Sequence, residues 1–146
     1  MLTNASKYAI RSVLFLAQNS NIDKKYGAKY IADELDIPVH FIAKLLQPLV
    51  KKGIISSLKG PNGGFYFTPD NGKFKVCDII EVIEGKNIFD SCFLGLPKCG
   101  DSNPCPVHHI VAPFKSELLK KFNMSLNEFK EDMDNLGTFL TLPTKK

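Results

Sequence analysis

No run of 18 apolar residues occurs in this chain, and its first residues, Met1-Leu2-Thr3-Asn4-Ala5-Ser6-Lys7, lack the charged start and apolar stretch of a signal peptide. Those absences argue against a helical membrane span and an exported precursor, and predict a cytoplasmic chain whose thiols stay reduced. No Cys-x-x-Cys pair is present either. A thiol oxidoreductase built on Cys99 and Cys105 would lack both that motif and an α/β setting, so no enzyme is expected. The one glycine-rich stretch, Gly60-Pro61-Asn62-Gly63-Gly64, is not followed by Lys-Ser/Thr, which argues against a phosphate-cradling loop. Arginine is nearly missing. Arg11 stands alone, on a segment whose pattern predicts burial, so bidentate arginine contacts to guanine cannot dominate any reading of DNA.

What is present suffices for one folded domain: 146 residues, 44% apolar and 23% charged. A chain of this length buries roughly 68 to 70% of its unfolded surface and needs no disulfide staples, so its four cysteines call for another explanation. The net charge of +4 is unevenly spread. Residues 1–75 carry 11 Lys/Arg against 5 Asp/Glu, and residues 76–146 carry 8 against 10. A basic front is thus joined to an acidic rear that holds all four cysteines.

In the front half, residues 5–18 are apolar nearly all round and predict a buried helix, with Ala9, Val13, Leu16 and Ala17 on one face. A second helix is predicted over residues 28–35, with Ile31, Ala32 and Leu35 inward, stopped at Asp36-Ile37-Pro38. Pro38 suits the first turn of a third helix. There Phe41, Leu45 and Leu49, with Ile42, Leu46 and Val50, predict a broad inward face; His40, Ala43, Lys44, Gln47 and Lys51 point away, and Gly53 ends the helix. Strands are predicted over residues 54–59 and 65–68, on either side of the glycine-rich tip. A helix-turn-helix followed at once by a hairpin is a winged helix, whose third helix would enter a major groove while the tip, with Lys59, reaches phosphates or a minor groove.

In the rear half, Cys92, Cys99 and Cys105 follow a C-x6-C-x5-C spacing in a segment rich in glycine and proline, and His108 comes three residues after the last of them. Three thiols on fourteen residues of irregular backbone can converge on one centre. Three cysteines and a histidine satisfy a two-iron two-sulfur cluster or a tetrahedral zinc. A metal-free thiol switch, inert cysteines, and an ordinary helix-start role for His108 are the plainer alternatives, and His109 is the weaker candidate beside it. Cys77 lies in the apolar pattern Val76, Ile79, Ile80, Val82, Ile83 and is expected to be a small core hydrophobe. Val111, Phe114, Leu118 and Phe122 form a narrow stripe that predicts a dimer seam, or packing on the chain's own core. Pro113 is expected to kink or restart that helix. Ser125 and Glu128 form a capping box for a last short helix, with Leu126, Phe129 and Met133, that would cover the partner. Residues 142–146 are expected to fray.

Tyr8-Ala9-Ile10-Arg11, Ile31-Ala32, Ile37-Pro38, Phe41-Ile42-Ala43-Lys44-Leu45-Leu46, Leu49-Val50-Lys51-Lys52-Gly53 and Ser57-Leu58-Lys59-Gly60-Pro61-Asn62-Gly63-Gly64-Phe65 together resemble the Rrf family of bacterial winged-helix transcriptional regulators, the group of IscR, NsrR and CymR. The likeness continues from Val76 to Gly85 and through the cysteine loop, covering roughly residues 2–130. It implies a mostly α fold with a small hairpin wing, divided into a winged helix-turn-helix over residues 1–85, a cysteine-rich sensor loop over 86–109, and a dimerisation helix and tail over 110–146. It also implies a cytoplasmic homodimer, with no membrane contact, on a partly palindromic double-stranded DNA operator. Expected DNA contacts are Val39, His40, Phe41, Lys44, Gln47 and Lys51 on the third helix, and Lys59, Gly60, Pro61, Asn62 and Gly63 on the wing. Two positions depart from the usual pattern, Ala43 where many members carry an acidic residue and Lys59 where many carry arginine. For the loop the resemblance favours an iron-sulfur cluster on Cys92, Cys99, Cys105 and His108, two-iron two-sulfur ahead of four-iron four-sulfur, with zinc the alternative. One branch has the same histidine with a first cysteine gap of five rather than six. Another branch uses an N-terminal aspartate, where this chain has Lys7.

Overall fold

The computed structural model describes residues 2–86 and 88–141, so the expected fraying of residues 142–146 lies outside the described residues. Helix α1 (Asn4–Asn19) opens on Thr3, whose side chain accepts the Ser6 N–H at 3.2 Å. As its composition predicts, it is buried nearly all round, from Ala9 to Ala17 with only Arg11 partly exposed in that stretch. Helix α2 (Ala28–Leu35) takes the predicted bounds. Its stop falls at Asp36, which adopts a left-handed φ of 57° and lets Ile37 turn back to donate to the Ala32 carbonyl at 3.0 Å. The Leu35 carbonyl accepts from Arg11 Nη2 at 2.6 Å, so the single guanidinium ties the end of α2 to α1.

Helix α3 (Val39–Lys52) begins just after Pro38, which sits at the cap position rather than in the first turn. Its inward face is narrower than the predicted one: Ile42, Leu46 and Leu49 are fully buried, Leu45 and Val50 half-buried, and Phe41 is 41% exposed. Spacings of four and three select one stripe. Phe41 falls at its rim, with its ring 6.0 Å from Tyr8 and 4.4 Å from His40. Pro48 interrupts the hydrogen-bond ladder on the exposed side, where the loss costs least. Gly53 ends the helix at φ 89°, a conformation other residues avoid, and its N–H returns to the Leu49 and Val50 carbonyls.

The wing pairs β1 (Ser56–Leu58) with antiparallel β2 (Gly64–Tyr66) in the register Ser57↔Phe65. The strands are shorter than predicted because Ile54 and Ile55 are drawn into the core before pairing starts, and Phe67 is buried with its N–H on Ser20 Oγ at 2.9 Å. Tyr26 and Phe65 exchange both backbone hydrogen bonds on the other side of β2, at 3.0 and 2.8 Å. This close approach demands Gly64, since a Cβ there would lie 2.8 Å from the Tyr26 backbone. Asn71, buried just after the wing, accepts from the Thr68 N–H, Thr68 Oγ1 and Ser56 Oγ, and donates to the Gly53 carbonyl at 2.8 Å. One side chain thereby joins the base of the wing to the end of α3.

Helix α4 (Val76–Glu84) packs through Val76, Ile79 and Ile80. Cys77 is off that stripe and half-exposed, so it is not the core residue its apolar neighbours suggest. Helix α5 (His108–Phe122) runs through Pro113 without interruption and buries no residue fully; Ile110 is 74% and Phe114 55% exposed. Its far end rests on the chain itself, where the Phe122 ring meets those of Phe89 and Phe129. Helix α6 (Leu126–Leu136) has the predicted Ser125 cap, which accepts the Glu128 N–H at 3.1 Å. Leu126 and Met133 pack into the core of their own chain. Its start is pinned to the segment that leaves the wing by Leu126 N–H on the Phe74 carbonyl at 2.7 Å and Asn127 Nδ2 on the Pro69 carbonyl at 3.1 Å. Among the described residues no helix is long and apolar enough to cross a membrane.

Candidate metal centre and nucleic-acid face

The cysteine loop leaves α4 through Gly85 and a short turn at Ile88–Asp90, whose Ile88 and Phe89 lean on the core. Glycines and prolines keep the rest out of regular structure, and short hydrogen bonds shape it instead. The Gly95 N–H reaches the Cys92 carbonyl, and residues 100 and 103 exchange backbone bonds in a tight turn. Cys105 N–H points back at Cys99 Sγ at 3.5 Å, and His108 N–H caps onto the Cys105 carbonyl at 3.0 Å as α5 begins.

These bonds bring Cys92, Cys99 and Cys105 together, with every sulfur within 4.8 Å of the others and none in a disulfide. Cys105 is buried and the other two are half-exposed. They line a cavity of about 280 Å³ along with His108, Val111 and Lys115. His108 Nδ1 lies 3.4 Å from one of the three sulfurs, Cys99 Sγ. His109 is exposed, its ring 5.6 Å from that of His108.

Shielding from water pushes the Cys92 thiol up. The backbone N–H groups of Leu96 and Leu94 and the thiols of Cys99 and Cys105 outweigh that and bring it down to about 7. For Cys99 the Cys105 N–H works downward, but partial burial and the two neighbouring thiols leave it raised. Between Cys92 and Cys99 a negative charge therefore favours Cys92, toward which the thiols of Cys99 and Cys105 donate. Soft sulfur donors that converge, one readily ionised, and an imidazole nitrogen beside them fit thiolate ligation of a metal or cluster.

The other face is basic and polar. Val39, His40, Phe41, Lys44, Gln47 and Lys51 are all exposed on α3, and Lys59, Gly60, Pro61 and Asn62 are exposed at the wing tip, with Gly63 half-buried. The tip closes through the Gly63 N–H on the Gly60 carbonyl at 2.9 Å. Sequence reasoning missed two residues at the thiol site. Lys115 on α5 donates to the Ser91 carbonyl and so fastens the loop to its helix. Asp101 stands 3.4 Å from His108 Nε2. The turn-forming Gly-Asp-Ser-Asn between two cysteines was the available signal for Asp101; Lys115 carried none.

A helix-turn-helix continued by a hairpin wing, with a thiol-lined loop leading into a further helix, defines a winged-helix regulator. The family model described as Rrf2, iron-dependent transcriptional regulator, matches residues 2–131. A chain of Aquifex aeolicus described as an HTH-type transcriptional regulator is 33% identical over 81% of this chain and 82% of its own length. The HTH-type transcriptional regulator IscR of Klebsiella pneumoniae is 28% identical over 92% of this chain and 82% of its own. Among solved structures, CymR, the global cysteine regulator of B. subtilis, superposes with a TM-score of 0.66 over 90% of this chain and 96% of its own, at 16% identity, a likeness of fold. The chain belongs to the Rrf2 family and is a transcriptional regulator, not an enzyme.

Proposed function

We propose that this chain works in the cytoplasm as a homodimer on a partly palindromic operator, and that its affinity for that operator changes when an iron-sulfur cluster occupies the loop. The observation that carries the reading is the convergence of three thiols within 4.8 Å of one another, with His108 Nδ1 beside them. Cys92, Cys99, Cys105 and His108 would hold the group. Bound there, it would supply a redox- and ligand-sensitive centre whose presence reports the chemical state of the cell. Lys115 holds the arm of the loop before Cys92 against α5, so ordering the three thiols orders the attachment of the loop to that helix. The exposure of Phe114, with Ile110 beside it, supports α5 as the seam between copies, Val111 and Leu118 being half-buried and Phe122 packed on its own chain. Two recognition helices would then stand about one DNA turn apart, roughly 34 to 36 Å, with His40, Lys44 and Gln47 at base edges and Lys51 and Lys59 at phosphates. A change in loop order that alters the spacing of the two heads alters affinity, provided the two states bind DNA unequally.

The test is purification without oxygen, followed by an absorption spectrum, analysis for iron, sulfide and zinc, and operator binding before and after the group is removed. Visible charge-transfer bands with equal iron and sulfide, and unequal affinities, are expected. A colourless protein with one zinc replaces the cluster by a structural metal. Equal operator affinity in the two states would leave a constitutive regulator, and a metal-free chain whose affinity follows thiol oxidation would be a thiol switch.

A further inference from the structure

His108 is held on both sides. Nδ1 stands 3.4 Å from Cys99 Sγ and Nε2 stands 3.4 Å from Asp101 Oδ1. The second contact is built by the backbone. Asn103 N–H donates to the Gly100 carbonyl at 3.1 Å, Gly100 N–H donates to the Asn103 carbonyl at 3.3 Å, and Asn103 Nδ2 reaches the Lys98 carbonyl at 2.8 Å. Asp101 therefore occupies the first corner of a fixed turn, while the Cys105 N–H on Cys99 Sγ brings that turn over the start of α5.

We propose that Asp101 is the positioning residue for His108, taking its Nε2–H so that Nδ1 is the bare nitrogen presented to the three thiols and the fourth donor atom of the site. The inference rests on the reading of the loop as a metal centre and goes beyond it to a residue and an atom. An ionised carboxylate only accepts hydrogen bonds, and a neutral imidazole carries one N–H and one lone pair. With the carboxylate at Nε2, the proton belongs there and the lone pair faces the sulfurs. A metal-binding histidine is ordinarily oriented by such a partner on its far nitrogen. Because the Asp101 side chain is fully exposed while that of His108 is 18% exposed, water competes for the carboxylate, and the effect belongs at the low end of the range for such partners, about tenfold in metal affinity.

The experiment uses the full chain, reduced and free of oxygen. Cobalt(II) is titrated into wild type, Asp101→Ala, Asp101→Asn, His108→Ala and the double alanine variant, with affinity read from the thiolate charge-transfer band. Asp101→Ala is expected to weaken binding about tenfold, Asp101→Asn, which keeps an acceptor, by less, and the double variant no more than His108→Ala alone. In metal-free protein, nitrogen-resolved NMR should show a downfield proton on Nε2 of His108 in wild type and Asp101→Asn but not in Asp101→Ala. Wild-type affinity in Asp101→Ala, or additive losses in the double variant, overturns the inference alone. If wild type takes up no more cobalt than Cys105→Ser, the metal-centre reading falls and the donor assignment falls with it.

Discussion

Single side chains carry much of the chemistry here, and Cys92 is the one whose ionisation can be followed. With its thiol brought down to about 7, it is mostly protonated and unreactive below that pH and mostly thiolate above it. In the metal-free reduced chain its alkylation by iodoacetamide should climb with a midpoint near pH 7, while Cys99, whose thiol is raised, lags. Pulse labelling and mass spectrometry across pH 6 to 9 (roughly the span over which thiols change charge) reads both sites at once. Asn71 is the matching case in the reading head. Asn71→Ala would leave the Thr68 N–H and the Gly53 carbonyl without their partner, at a cost of about 1–3 kcal/mol in urea unfolding. At this scale spacing named the three thiols and His108, because ligands must recur at short intervals on one loop. It did not name Asp101 or Lys115, whose roles depend on how a turn and a helix face each other once folded.

Helices and strands were more legible than the contacts between them. The bounds of α2 and the cap of α6 follow from local rules about proline and hydroxyl groups, and the structure keeps them, while α3 starts one position later than expected, with Pro38 as its cap. The outward turn of Phe41, the half-exposure of Cys77 and the seating of α6 were not legible from periodicity, since an apolar residue beside a stripe goes in or out according to which neighbour arrives there; for Phe41 only the family resemblance pointed outward. The seat of α6 is tight. Gly72 is buried against Asn127, and a Cβ at Gly72 would fall 1.9 Å from the Asn127 side-chain oxygen. Gly72→Ala should therefore force that amide off the Pro69 carbonyl, but because the Asn127 side chain is exposed and can swing into water, the cost should stay near the net worth of one hydrogen bond, about 1 kcal/mol or less, and adding Asn127→Ala should change stability little further. Denaturant midpoints of the two single variants and the double variant check this directly.

For the molecule as a whole, the uneven charge and the bare helix set the expectations. α5 has no fully buried residue, and if it is the proposed seam, Phe114→Asp should shift the chain from dimer to monomer in sedimentation. On DNA, Lys51→Ala is expected to weaken binding to all sequences alike and to flatten the salt dependence by about one counterion, while His40→Ala or Lys44→Ala changes which sequence is preferred. Titrations at several salt concentrations, on operator and scrambled duplexes, separate the two effects. The bond from Arg11 to the Leu35 carbonyl adds a consequence of its own. With the only guanidinium engaged inside the fold, every permanent side-chain cation on the surface is a lysine amine. Acylation of amines could thus erase the positive field that meets DNA while leaving the helices joined, and an arginine-directed dicarbonyl reagent would do the reverse, loosening α2 from α1 while sparing the surface charge.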